Sequence, residues 1–141
     1  MYIGVGMLAM CAFWIAGSAV VSWWQTSQDD VHFGRPRTFQ TDARVGHNDD
    51  HTPSHFIALN LSRHVVILEF PAGDVTKEKV YLGPTLFGDG QDLTPVTLAF
   101  KDVNGDGKPD MVLHIQGEQE VVFINDGTGF RPSNEKDTIH L

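Results

Sequence analysis

The stretch that decides the fold is DVNGDGKPD, residues 102–110, in which oxygen-bearing side chains stand at loop positions one, three, five and nine. Calcium takes about six to eight oxygen ligands, and a glycine at position six allows a loop of this kind to turn sharply around the ion. Gly107 occupies that position. We therefore predict a calcium site in which water completes the shell and the protein ligands are the carboxylates of Asp102, Asp106 and Asp110, the amide oxygen of Asn104 and the backbone carbonyl of Lys108. An all-oxygen set disfavours zinc and copper.

The flanks of this loop predict strands. An EF-hand would place a helix on each side and a glutamate at position twelve, where this chain has Leu113. Residues 96–100 and 111–115 are instead β-branched and apolar, which predicts a strand on each side of the loop. Residues 121–124 predict a third strand, and the glycine-rich turn at 125–130 leads into another.

Together, the loop at 102–110, the strand after it and the turn FINDGTGF at 123–130 resemble an FG-GAP/VCBS repeat. The resemblance covers about residues 96–130. Repeats of that family form blades of calcium-bound β-propellers in integrin α-chain heads and in many bacterial surface proteins. The resemblance therefore implies a blade with a calcium site, although a closed propeller typically needs about four to eight blades.

An earlier segment repeats this pattern. A shift of 54 positions, which carries Gly73 onto Gly127, aligns the apolar residues of two predicted strands. The aligned pairs are Ile57 with Met111, Leu59 with Leu113, Leu61 with Ile115, Ile67 with Val121 and Phe70 with Ile124. We therefore predict two repeats, at about 46–82 and 95–130, within an all-β domain spanning 46–132. Such a domain is either a partial propeller or a small β-sandwich, because both bury the same alternating faces.

The loop of the first repeat has lost half of its ligand set. Asn48 and Asp50 fall on Asp102 and Asn104, whereas Thr52 and Phe56 replace Asp106 and Asp110. We interpret this loop as a degenerate calcium loop.

The same loop also allows a transition-metal interpretation. Imidazole and carboxylate together suit zinc, manganese or iron, so a metal-dependent hydrolase centred on one cluster is an alternative function. That cluster consists of His47, Asp49, Asp50, His51 and His55. No nucleophile elbow or phosphate-binding loop accompanies it in the sequence, and we expect the protein not to be an enzyme.

The N-terminal segment predicts a membrane anchor. No charged residue lies between Tyr2 and Trp24, a length that suffices for a transmembrane helix, and Trp23 and Trp24 suit a membrane interface. A cleaved signal peptide is the first alternative, although no basic residue precedes Arg35. Lipidation at Cys11 is the second. We assign 1–24 to an uncleaved signal-anchor helix and 25–45 to a linker or stalk.

The charges beside the anchor leave its orientation open, because Arg35 and Arg37 alone would place the C-terminal part in the cytoplasm. Calcium is plentiful outside the cell, so we expect a cell-membrane protein with a single span and an extracytoplasmic β domain.

Composition narrows the function further. The net charge of −8 disfavours nucleic acid as a partner, and the single cysteine, Cys11, excludes an internal disulfide. We predict a calcium-binding module for cell-surface binding or assembly, in which calcium is structural. Open sheet edges favour a protein partner or self-association. An accessory single-pass subunit of a larger membrane complex is the alternative. Residues 133–141 are expected to form a flexible tail.

Overall fold

The computed structural model describes residues 2–48, 51–118 and 120–141. It divides into two compact units, Met1–Gly34 and Arg35–Leu141. The first holds an N-terminal helix and the second holds two antiparallel four-stranded sheets.

The first unit is the helix α1, Tyr2–Phe33. It is long and apolar enough to cross a membrane, a property that an N-terminal signal sequence shares. The helix continues past Trp24, where the sequence-based boundary had placed its end, because no proline or glycine interrupts residues 25–33. Gly34, at a φ of 70°, ends it, and its N–H donates to the carbonyl of Asp30 at 3.1 Å.

The second unit contains two meanders with the same strand order. Sheet 1 is formed by β1 Arg37–Ala43, β2 Ser54–Leu61, β3 His64–Phe70 and β4 Lys79–Thr85. Sheet 2 is formed by β5 Val96–Lys101, β6 Asp110–Ile115, β7 Val121–Asn125 and β8 Phe130–Pro132. Each predicted repeat thus lies in one sheet. Two sheets do not form a closed propeller, which needs about four to eight blades.

Strand β1 corrects the predicted linker at 25–45, which contains it. Its sequence, RTFQTDA, has a single large apolar residue, Phe39, so the alternation is hard to recognise. The strand forms because it pairs with β2 along its whole length. Arg37 is 1% exposed and its Nε donates to the carbonyl of Leu93 at 2.9 Å. A buried, hydrogen-bonded arginine therefore occupies a position where an apolar residue would have indicated a strand.

The two sheets share one hydrophobic core. In sheet 1 the inward residues of β2 and β3 include Phe56, Ala58 and Ile67, all fully buried. In sheet 2 the inward residues of β6 include Met111 and Leu113, also fully buried. Burial of large apolar side chains of this kind contributes roughly 1.5–3 kcal/mol each.

The sheets do not present equivalent faces to each other. Ile57 and Leu59 align with Met111 and Leu113 under the 54-position shift, yet the first pair faces away from the shared core and the second pair faces into it. If a two-fold axis related the two sheets, as in a symmetric sandwich, the contact would bury equivalent residues of both sheets. The packing is instead head-to-tail, as between successive units of a repeat protein.

The C-terminal segment covers the outer face of sheet 2, which differs from the flexible tail predicted for 133–141. Ile139 packs on a small cluster formed by Val103, Val112, Val122 and Ile124. Arg131 donates two hydrogen bonds to Asp137 at 2.9 and 2.7 Å, and the N–H of His140 donates to the carbonyl of Val103 at 2.8 Å. One apolar residue and a bidentate ion pair therefore fix a segment whose composition is polar.

Candidate metal centre

The loop between β5 and β6 brings the predicted acidic ligands together. Among the residues described, Asp102, Asp106 and Asp110 each offer a carboxylate oxygen, and these oxygens lie within 4.8 Å of one another. Gly105 and Gly107 have φ values of 80° and 84°, a region that side chains with a Cβ rarely adopt. The glycines thus permit the tight winding that makes the three carboxylates converge.

Backbone donors hold the first of these carboxylates. Asp102 accepts hydrogen bonds from the N–H groups of Gly107 at 2.7 Å, Gly105 at 2.8 Å and Asp106 at 3.2 Å. These bonds, with the one from Gly107 first, lower the pKa of Asp102 below its usual range. An ionised carboxylate is the form that a cation requires.

Asp110 fixes the other end of the loop. Its side chain is fully buried, and its oxygens accept from the N–H of Val103 at 3.0 Å and from the N–H of Asn125 at 2.8 Å. A carboxylate oxygen has two lone-pair sites, so each can also coordinate a cation. Asp110 therefore connects the loop to β7.

The two remaining predicted ligands lie in the same turn. Oδ1 of Asn104 accepts from the N–H of Asp106 at 3.2 Å, and Nδ2 of Asn104 donates to the Asp106 carboxylate at 3.3 Å. The N–H of Lys108 donates to the same carboxylate at 2.9 Å. The side chains of this loop offer carboxylate and amide oxygens as metal ligands, and such oxygens fit a hard cation such as calcium.

The histidine-rich segment does not form a cluster in the parts that the structure describes. His47 faces the shared core, whereas His55 lies on the outer side of sheet 1, where it contacts Asp42 at 2.6 Å and Gln40 at 3.3 Å. Asp49 and Asp50 lie outside the described residues. Nδ2 of Asn48 donates to the carbonyl of Thr52 at 2.7 Å.

His47 instead belongs to a buried polar network, which sequence reasoning missed. Its Nδ1 lies 2.6 Å from Glu69 and its Nε2 lies 2.9 Å from Oδ1 of Asn125. Glu69 also accepts from the hydroxyls of Ser54 at 2.9 Å and Tyr81 at 2.6 Å. Glu69 belongs to sheet 1 and Asn125 to sheet 2, so the imidazole bridges the two sheets.

The orientation of the Asn125 amide follows from its partners. Its Nδ2 donates to the carbonyls of Val45 and Pro109, both at 2.9 Å, and its Oδ1 accepts from the N–H of Gly127 at 2.8 Å. Both ring nitrogens of His47 therefore face acceptor oxygens, one in each sheet. Because Pro109 and Asp110 end the acidic loop, Asn125 joins that loop to the inter-sheet network.

Charge and burial in this network act in opposite directions. Burial raises the pKa of Glu69, but hydrogen bonds from His47, Tyr81 and Ser54 together more than offset it, and the net pKa is lowered. Burial first, and then the bond to Glu69, raises the pKa of Tyr81. Glu69 is thus an ionised carboxylate at neutral pH, and Tyr81 is its neutral donor.

A sequence signal for part of this network existed. Within HVVILEF, residues 64–70, strand alternation places Glu69 on the same face as Val65 and Ile67, so a buried carboxylate was predictable. Nothing in the sequence indicates that His47 would reach it.

No family model, curated protein or solved structure matches the chain.

Proposed function

We propose that the chain is a membrane-anchored, calcium-binding β module of the cell surface that serves in binding or assembly, with calcium in a structural role. The observation that carries the proposal is the convergence of Asp102, Asp106 and Asp110 within 4.8 Å in one loop. The resemblance of this loop to an FG-GAP/VCBS repeat supports it, as do the two blade-like sheets with one strand order.

A structural role for the cation follows from the position of the loop. Asp110, at the end of the loop, accepts from Val103 near the start of the loop and from Asn125 of β7, and Asn125 connects to the network between the sheets. A cation that draws the three carboxylates together would remove their mutual repulsion and stabilise this arrangement. Several oxygens of the set are already engaged by backbone donors, which favours a rigid site over one that turns over substrate.

The cellular location belongs to the same proposal. Helix α1 can span a membrane, and we place the β unit on the extracytoplasmic side because a surface-exposed calcium loop is filled where calcium is abundant. Protease protection of the C-terminal part in sealed cells would contradict that orientation.

The experiment is a calcium titration of the full chain in detergent by calorimetry, with a thermal melt in calcium and in chelator. Asp106→Ala is the test variant, and Asp89→Ala is the matched control, since it removes one exposed carboxylate outside the loop. Binding at 100 times the dissociation constant stabilises a protein by about 2.7 kcal/mol. We expect that gain in the parent and in Asp89→Ala, but not in Asp106→Ala. Equal melting temperatures with and without calcium in the parent would overturn the proposal.

A further inference from the structure

The outer face of sheet 1, the side turned away from the shared core, is apolar and uncovered by any described part of the β unit. The strand register places its residues in two rows across β2, β3 and β4. One row is Leu59, Val66 and Leu82, and the other is Ile57, Leu68 and Val80. Leu82 is 73% exposed and Val80 is 55% exposed. The face therefore consists of Ile57, Leu59, Val66, Leu68, Val80 and Leu82.

In the segment related by the 54-position shift, the equivalent face is covered by a sheet. Ile57 and Leu59 align with Met111 and Leu113, which are fully buried because sheet 1 packs on them. By the same head-to-tail relation, the outer face of sheet 1 would receive a further sheet. Within the described chain no such sheet exists.

The opposite end of the repeat pair is closed. The C-terminal segment covers the outer face of sheet 2, with Ile139 packed against Val112 and Val122. A second copy of the chain therefore cannot supply that face to continue the series into a ring or filament. Among its sheet faces, a second copy leaves open the outer face of its own sheet 1, so a face-to-face contact between copies is isologous.

The charge on this face favours contact between copies. Asp42 is the single carboxylate among the outward-facing strand residues of sheet 1, and it is paired with His55 at 2.6 Å. The chain as a whole has a net charge of −8. Negative charge is thus concentrated elsewhere, and two of these faces can approach with little mutual repulsion.

We propose that two copies of the chain pair through the outer faces of their first sheets, around a two-fold axis. This inference rests on the proposed assembly role and names its partner. A whole sheet of four strands of about seven residues spans roughly 450 Å² at the usual strand spacing and rise, which is an upper bound for a face that occupies three of them. A stable soluble dimer buries about 800 Å² per partner, so the contact is weak in dilute solution. Anchoring in one membrane raises the effective concentration of the copies and makes pairing favourable.

The test uses the full chain in phospholipid vesicles, labelled for energy transfer through Glu135→Cys in a Cys11→Ser background, at a series of protein-to-lipid ratios. Leu82→Glu places a carboxylate on the face, at its edge strand β4, and the high exposure of Leu82 leaves folding intact, which circular dichroism verifies. Phe87→Glu is the matched control, because Phe87 is 85% exposed but follows the end of β4. We expect Leu82→Glu to weaken association by about tenfold or more, and Phe87→Glu to leave it unchanged.

A second variant identifies the face directly. Val80→Cys, with Cys11→Ser, should form a disulfide-linked dimer in vesicles on oxidation, and adding Leu82→Glu should remove most of it. Absence of energy transfer in the parent at every ratio, or association that Leu82→Glu does not change, would overturn the pairing. Calcium titration of the same samples reports separately on the metal site, so failure of one proposal is distinguishable from failure of the other.

Discussion

Replacing Glu69 with glutamine tests the inter-sheet network with almost no change in volume. Glu69 is fully buried and accepts three hydrogen bonds, from His47, Ser54 and Tyr81. Glutamine keeps one acceptor oxygen and replaces the other by a donor. The negative charge that faces His47 is lost, while the packing of the side chain against its neighbours is retained.

The magnitude follows from the burial of the pair. The side chains of His47 and Glu69 are both 0% exposed, and leaving a buried hydrogen-bonding group without its partner costs about 1–3 kcal/mol. For a unit of about 100 residues, 1 kcal/mol shifts the melting temperature by roughly 4–8 °C. We therefore expect Glu69→Gln to lower the melting temperature of the β unit by about 4 °C or more.

The assay is scanning calorimetry of the full chain at neutral pH in saturating calcium. Glu120→Gln is the matched control, because it makes the same change in a second Glu–His pair that is exposed, with Glu120 at 3.8 Å from His114. Exposed pairs contribute about 0–1 kcal/mol, so the control should melt near the parent temperature. If Glu69→Gln also melts within about 3 °C of the parent, the network does not hold the sheets together, and the reasoning from its geometry is wrong.

The remaining predictions concern the C-terminal segment and the loss of stability at low pH. Ile139→Ala should destabilise the unit by about 1–2 kcal/mol, since the side chain is half-buried on sheet 2, and denaturant unfolding would measure the change. The pKa of Asp137 is lowered to about 2, by Arg131 first, and hydrogen bonds from the N–H groups of Thr128 and Gly129 lower the pKa of Asp126. Carboxyls of this kind contribute stability that is present above their unfolded pKa of about 4 and is lost as pH falls toward 2. Asp137→Asn should flatten that part of a stability–pH curve, and an unaltered curve would contradict the assignment.

Sequence reasoning predicted the strands whose inward residues are apolar. In HVVILEF, residues 64–70, and in the strands on each side of the acidic loop, β-branched and apolar residues leave little alternative to a strand. It failed at β1, where Arg37 and Thr41 occupy inward positions. A strand of that composition forms because β2 offers it a partner, and such a partner is a property of the fold that local pattern does not contain.

In the candidate site, the acidic loop could be predicted from the sequence, whereas the inter-sheet network could not. The predicted ligands Asp102, Asp106 and Asp110 converge because they lie within one loop, and local spacing determines local geometry. The inter-sheet network joins residues that are 22 and 78 positions apart, His47 to Glu69 and His47 to Asn125. Contacts at that separation depend on how the sheets pack, so the sequence, which allowed a transition-metal site at His47 only as an alternative, did not indicate the bridge that this imidazole forms.

The two segments related by the 54-position shift differ at the residues that form the interface between the sheets. Glu69 aligns with Phe123 under the repeat shift, and His47 aligns with Lys101, so the buried network has no counterpart in the second repeat. The acidic loop likewise has no intact counterpart in the first. One interface between two sheets needs only one such loop and one such network, and Asn125 lies where they meet.

A cation that orders Pro109 and Asp110 would also order Asn125, and through it His47. Glu69→Gln should therefore reduce the affinity of the loop for calcium as well as the stability of the unit, although Glu69 lies in the other sheet. Unchanged affinity in that variant would show that the loop and the network are independent.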